Sequence, residues 1–204
     1  MPFIIHPQYF GTIRYVAQLI KAAGPLYLPL YLRPAKMTYR NRTLVLGAQG
    51  VITLTVPLAG GRDALRSLEQ ITVDYTRRWQ VEQWRTLQSC YNKSAFFYHY
   101  APLLEPLFFE QPEYLWQYTL ATTNWVLQQL GQPTLLQVIK QVPTDHLTAT
   151  LPAQPAERVA ERLLNPLPPY PQTFGTAFES NLSILDLLFN MGPAAKNYLH
   201  ALDA

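Results

Sequence analysis

Two arginines one residue apart, Arg40 and Arg42, open a β-forming run, T-Y-R-N-R-T-L-V-L, from Thr38 to Leu46. Strand alternation sends both side chains to one face, and those of Tyr39 and Asn41 to the other, so two forked cations converge on one patch. Guanidiniums held side by side repel each other unless an anion lies between them, and their planar forks match phosphate and carboxylate oxygens. The chemistry this pattern offers is the gripping of a negative group, with Tyr39 and Asn41 supplying hydrogen-bonding groups beside it. The alternative reading is a charged edge strand that discourages edge-to-edge aggregation.

A second group of residues lies at the N-terminus: His6, Gln8, Tyr9 and Arg14. Phe3-Ile4-Ile5 reads as a buried strand stopped at His6-Pro7, and from Tyr9 onward Phe10, Ile13, Val16, Ala17 and Ile20 recur at helical spacing until Gly24-Pro25. These residues therefore sit where a first strand hands over to a first helix, the place where ligands settle in open α/β sheets. A helix N-terminus there favours phosphate or carboxylate, and Arg14 adds charge a little over one turn in. His6 is the candidate for general acid or base, because an unperturbed imidazole titrates near neutrality. Gln8 would orient polar groups, and Tyr9 would stack or donate a hydrogen bond. The plainer reading has His6 and Tyr9 finishing a strand and packing.

The elements that must position these groups follow from periodicity. Leu26 to Tyr31 is extended. Thr43 to Leu46 and Val51 to Val56 flank the loop Gly47-Ala48-Gln49-Gly50 and predict a β-hairpin. Leu68 to Val73 predicts a further strand, and Thr76 a cap for the next helix. That helix carries Val81, Trp84, Leu87 and Tyr91 on one stripe, with Arg78, Glu82 and Arg85 on another. Arg85 and Arg78 would extend the cationic patch. Residues 95–110 and 113–130 predict two helices whose crowded aromatic side chains are read as core. Leu135 to Ile139 returns to the sheet. Seven prolines in residues 143–171 exclude a single regular element there, leaving a surface connection or a wrapping lid. Asn181 or Ser180 caps a last helix that Gly192-Pro193 breaks, and Ala194 to Leu202 resumes it. The expected fold is α/β: a mixed sheet with an N-terminal strand-helix-strand unit, a β-hairpin and a helical second half, in one domain over 1–204.

Composition narrows the function classes. A chain 49% hydrophobic and 14% charged is a folding chain rather than a disordered one. Residues 1–100 hold 12 Lys and Arg against 4 Asp and Glu, whereas residues 101–204 hold 4 against 9. The basic first half suits a phosphorylated ligand, an anionic substrate or nucleic acid, and the acidic second half argues against coating a polyanion over the whole surface. The lone Cys90 excludes a disulfide framework, and in its helix it reads as a small buried hydrophobe rather than a nucleophile. The phosphate-loop, dinucleotide, zinc-helix and nucleophile-elbow motifs are all missing, and the four histidines lack ligand spacing. The expectation is therefore no metal and no cofactor. With no leader pattern and no stretch long enough to span a bilayer, the expected setting is cytoplasmic, without membrane insertion.

Three stretches resemble the WbqC-like protein family in that family's order: P-Q-Y-F-G-T-I-R-Y-V-A-Q-L-I from Pro7, T-Y-R-N-R-T-L-V-L-G-A-Q-G-V-I-T-L-T-V-P from Thr38, and N-L-S-I-L-D-L-L-F-N-M-G-P from Asn181. The resemblance implies a step in bacterial surface-polysaccharide assembly on a nucleotide-linked amino sugar, such as acyl or aminoacyl transfer. It aligns the family's opening aromatic motif with Tyr9, Phe10 and Tyr15, its strand motif with Tyr39, Arg40, Asn41 and Arg42, and its helix motif with Trp79 and Tyr91. Tyr91 thereby joins the candidate substrate-binding residues. Two departures stand out: Gly11 where many relatives carry proline, and no histidine near Trp84. Two other readings remain open at this point, a non-catalytic nucleic-acid-binding module and a protein-interaction domain.

Overall fold

Phe3 and Ile4 form β1 (Phe3–Ile4), and Ile5, wholly buried, continues its direction into the loop that follows. In the computed structural model residues 3–33, 38–60, 67–133, 136–140, 149–150 and 165–202 are described. Helix α1 (Ile13–Lys21) starts four residues later than its apolar spacing predicts, because Phe10 adopts φ 43° and the Thr12 hydroxyl caps the helix by accepting from Tyr15 N–H. Tyr9 to Thr12 belong to the loop instead. The chain then returns as β2 (Leu26–Pro29), parallel to β1.

Two further parallel strands, β5 (Gln137–Ile139) and β6 (Ala149–Thr150), complete a sheet in the order β5-β2-β1-β6. All three of its strand pairings are parallel. The connection from β1 leads to β2 on one side, while β6 lies on the other, so the winding reverses between β1 and β6. In open α/β sheets such a reversal, here at the carboxyl end of β1, is where ligands settle.

The hairpin forms a sheet of its own, β3 (Arg42–Gly47) and β4 (Gly50–Thr55), in register from Arg42 opposite Thr55 to Gly47 opposite Gly50. Its two-residue loop is closed by Gly50 at φ 109°, which a side chain would resist. Tyr39–Asn41 is a 3-10 turn rather than the first residues of the strand, which corrects the alternation argument for Arg40. Leu68 to Val73 is likewise a 3-10 turn (Leu68–Gln70) followed by isolated bridges, Leu58 with Val73 and Thr72 with Tyr114.

Helix α2 (Trp79–Tyr91) begins after Arg78, not at Thr76, whose N–H is taken by the Asp74 carboxylate. Trp84, Leu87 and Tyr91 are buried on one side, with Arg78, Glu82 and Arg85 exposed on the other. Helices α3 (Phe97–Phe108) and α4 (Leu115–Gln129) follow. Of their aromatics Phe97, Tyr100, Phe108, Tyr118 and Trp125 enter the core, each ring burial contributing roughly 1.5–3 kcal/mol, whereas Tyr98 stands 74% exposed. Helix α5 (Ile184–Met191) is capped by Ser183, two to three residues beyond the caps expected from the sequence. It ends at Gly192, and α6 (Ala194–Ala201) packs back on α1. Most of the proline-rich stretch lies outside the described residues. No described helix is long and apolar enough to cross a membrane.

Candidate functional site

The loop between β1 and α1 is the point at which three distant parts of the chain meet. Tyr9 N–H donates to Tyr39 C=O at 3.0 Å, tying the loop to the arginine turn. Phe10 C=O accepts from both Thr43 Oγ1 at 3.0 Å and Ser183 Oγ at 2.9 Å. Ile184 N–H donates to Gly11 C=O, Ile13 N–H to Leu182 C=O, and Ser183 N–H to Leu44 C=O. Asn181, at φ 51°, accepts Arg14 N–H on Oδ1. Asparagine tolerates the left-handed region, but for a phenylalanine φ 43° is a genuine strain of roughly 1–3 kcal/mol. The two hydroxyls on Phe10 C=O, with the Phe10 ring stacked on Phe108 at 6.2 Å, hold that conformation in place.

A test follows from this arrangement. Thr43→Val removes one of two donors to a buried carbonyl and costs about 1 kcal/mol, and combined with Ser183→Ala it costs more than the separate losses added, because the carbonyl is then unsatisfied. Urea denaturation of the two single variants and the double variant measures this, and strict additivity would show that the carbonyl finds another donor.

Arg40 and Arg42 are both half-buried beside this loop. They come together by a route the sequence did not suggest: the 3-10 turn folds Arg40 back toward the start of β3. Burial, and then the positive charge of Arg42, press the Arg40 guanidinium below its ordinary pKa. The Arg42 Nε is buried and has no hydrogen-bond partner among the described residues. Asn41 stabilises the turn, its Nδ2 donating to Val56 C=O at 2.9 Å and its C=O accepting Val56 N–H at 2.7 Å.

His6 is partly buried at the carboxyl end of β1, and desolvation lowers its pKa below the ordinary 6.5. Tyr9 lies three positions further along the chain, so chain length alone keeps His6 within roughly 11 Å of the residue bonded to the arginine turn. Gln8 is buried, and its Oε1 accepts Thr12 N–H at 3.0 Å, fixing the loop. Tyr9 is fully enclosed: its ring stacks on Tyr118 at 5.6 Å and its hydroxyl donates to Gln83 Oε1 at 3.0 Å. Tyr39 is buried as well. Gln8, Tyr9 and Asn41 thus shape the site from within.

The other candidates lie elsewhere. The Arg14 guanidinium donates to Asn165 C=O and sits near Tyr198. Arg85 is exposed on α2 next to Gly47, at the opposite end of β3 from Arg42, roughly 16 Å along the strand. Tyr91 is buried under the hairpin, where its hydroxyl accepts Leu46 N–H at 3.1 Å and donates to Asp186 Oδ1 at 2.8 Å. Cys90 is buried, and desolvation with the neighbouring Asp186 charge raises its thiol pKa, which suits packing rather than nucleophilic attack.

Sequence reasoning missed Thr43, Ser183 and Asp186. The signal for Ser183 was the N-L-S run itself, which clamps the first loop. Gly11 also has a physical reason: a Cβ there would collide with the Tyr15 ring, so the proline of relatives does not fit this packing. Among the described residues no group of three His, Cys, Asp or Glu side chains comes together to hold a metal.

These three motifs, joined at one loop in an α/β frame, define the class. The chain belongs to the WbqC-like protein family, which matches residues 7–164 and 157–198. It is similar to a Mycobacterium tuberculosis (strain ATCC 25618 / H37Rv) protein named "Uncharacterized protein Rv1507c", 26% identical over 221 aligned residues that take in 94% of this chain and 91% of that one. No solved structure matches the chain.

Proposed function

We propose that the chain binds a phosphorylated small molecule, of the nucleotide-linked amino sugar class, at the carboxyl end of β1. The observation that carries this reading is the half-buried pair Arg40 and Arg42, pressed together beside the strained Phe10 loop at the sheet's reversal point. Two guanidiniums this close present paired forks to the oxygens of an anion bound between them. In this reading the guanidiniums grip phosphate, and the step belongs to surface-polysaccharide assembly, a reading supported by membership of the WbqC-like family.

The reaction it supports is transfer of an acyl or aminoacyl group to the sugar amine. The amine nitrogen attacks the carbonyl carbon of an activated donor ester or thioester, a C–N bond forms, and the bond to the donor's oxygen or sulfur breaks. His6, held neutral at physiological pH by its lowered pKa, takes the proton from nitrogen and returns it to the leaving group.

Thermal unfolding with a nucleoside-diphosphate amino sugar, the free amino sugar, inorganic phosphate and a single-stranded oligonucleotide separates the classes. The nucleotide sugar is expected to raise Tm, and the free sugar to leave it unchanged. A rise only with the oligonucleotide, with affinity collapsing as salt increases, would replace this reading by nucleic-acid binding. NMR titration adds an independent check: the His6 midpoint is expected below 6.5 in the free protein and higher with the phosphorylated ligand bound, because a nearby anion favours the imidazolium. A midpoint that ignores the ligand would remove His6 from the site.

A further inference from the structure

Among the described residues nothing pairs with the outer edge of strand β4. It pairs with β3 on one side only, and its sequence, Gly-Val-Ile-Thr-Leu-Thr, contains no charge, no proline and no bulge. Natural edges of this length are usually blunted by such features, since a bare row of N–H and C=O groups is a template for another strand. The register shows which groups are bare. Val56 N–H bonds Asn41 C=O, so the hydrogen-bonded pairs are Thr43 with Leu54 and Val45 with Ile52, leaving the backbone groups of Val51 and Thr53 pointing outward. Among the described residues no hydrogen bond is made to them. The next outward carbonyl, on Thr55, is already taken by Gln83 Nε2 at 2.8 Å, which marks where the free edge ends.

Alongside this edge runs a groove floored by α2. Two adjoining cavities of about 390 Å³ and 330 Å³, with Ile52 and Thr86 in the walls of both, lie between β4 and the helix. Its ends are cationic, with Arg85 near Gly47 and Arg77 near Thr55, while Glu82 lines its middle. Ile52, 36% exposed, and Phe174 give it apolar wall.

We infer that the β4–α2 groove is a docking site for an extended acidic peptide of a partner protein, which adds as a third strand to the hairpin. An unpaired edge supplies main-chain hydrogen bonds, and flanking pockets select side chains, as in other strand-addition sites. The charge pattern specifies the occupant: acids at both ends for Arg77 and Arg85, and uncharged residues in the centre, where Glu82 would repel a carboxylate. A second copy of this chain fits worse. Two-fold antiparallel pairing reverses the groove end for end, and would set Arg85 of one copy toward Arg77 of the other.

The experiment uses a fluorescein-labelled octapeptide with two aspartates at each end and alternating threonine and valine between, against the same peptide with lysines in place of the aspartates. Fluorescence anisotropy on the full chain is expected to show the aspartate peptide binding at least tenfold more tightly. Thr53→Pro removes an outward N–H without touching the β3 ladder, an edge position where proline is tolerated, and is expected to weaken the aspartate peptide at least tenfold. Should that variant fail to fold, Arg85→Glu carries the test, because it should lower the preference for the aspartate peptide at least tenfold. Equal affinity for the two peptides, no binding of either at millimolar concentration, or no effect of any variant would overturn the inference. So would a dimer in sedimentation that Thr53→Pro dissolves, which would make a second copy the occupant.

Discussion

Asp186→Ala lowers the unfolding free energy by about 3 kcal/mol or more in urea titration, the largest stability loss expected of any polar substitution discussed for this chain. The carboxylate is wholly buried in α5, and among the described residues no cation lies beside it. Its partners are neutral donors instead: Tyr91 on Oδ1 at 2.8 Å, and on Oδ2 Tyr170 at 2.5 Å and Gln172 Nε2 at 3.2 Å. Through them it joins α2 and the 170–172 segment to α5, and Tyr91 carries the connection on to Leu46 of the hairpin. Alanine strands two buried hydroxyls at once, each at about 1–3 kcal/mol, and the relief of a buried carboxylate offsets only part of that.

Asp186→Asn should cost far less, about 1 kcal/mol. Its oxygen still accepts from Tyr91, and the Tyr170 hydroxyl can turn to accept from the amide. Its deficit should also depend on pH in a definite direction. Burial raises the Asp186 pKa, the three hydrogen bonds lowering it only in part. The folded protein therefore holds the proton at a pH where the unfolded chain has lost it. Wild type is thus most favoured at or below the ordinary carboxyl pKa of 3.8, and loses this advantage as pH rises toward the folded value. The gap between Asp186→Asn and wild type should accordingly be widest near pH 4 and shrink toward neutrality. A gap that widens with pH would mean that the carboxylate is stabilised as an anion.

Which parts of this organisation were legible in the chain depends on how far apart the interacting residues lie. The hairpin, β2, β5 and the helices from α2 to α6 follow from local spacing, and the structure keeps them within a few residues. What spacing hides is backbone reversal. Phe10 gave a helical signal because its ring does face the core, yet its φ of 43° places it in the loop. The hydroxyls that hold this conformation come from Thr43 and Ser183, more than 30 and 170 residues away. The arginine pair was visible as composition but not as geometry, since a 3-10 turn and a strand both put residues 40 and 42 near one another. Asp186 was hidden for a different reason: an acid in the first turn of a helix reads as a surface residue favoured by the helix dipole. Its burial is set by Tyr91 and Tyr170, 95 and 16 residues distant.

Arg42→Ala is expected to separate binding from stability in opposite directions. In the free protein the Arg42 charge acts against its neighbour, contributing to the depressed pKa of Arg40, and its own Nε is buried without a partner among the described residues. Removing it relieves both effects, so the variant should unfold at the same temperature as wild type or slightly above it. With a phosphorylated ligand the balance reverses. A guanidinium bonded to phosphate oxygen is worth about 1.5–3 kcal/mol, so affinity should fall roughly 10-fold to 100-fold. Arg42→Lys should lie between, keeping the charge while losing the two-pronged geometry. Isothermal titration with the nucleoside-diphosphate amino sugar, alongside thermal unfolding of the ligand-free variants, reads both quantities. A structural arginine would behave differently, its loss lowering Tm and leaving affinity unchanged. That result would remove Arg42 from the proposed grip, because a guanidinium that binds phosphate must show its loss in affinity rather than in stability.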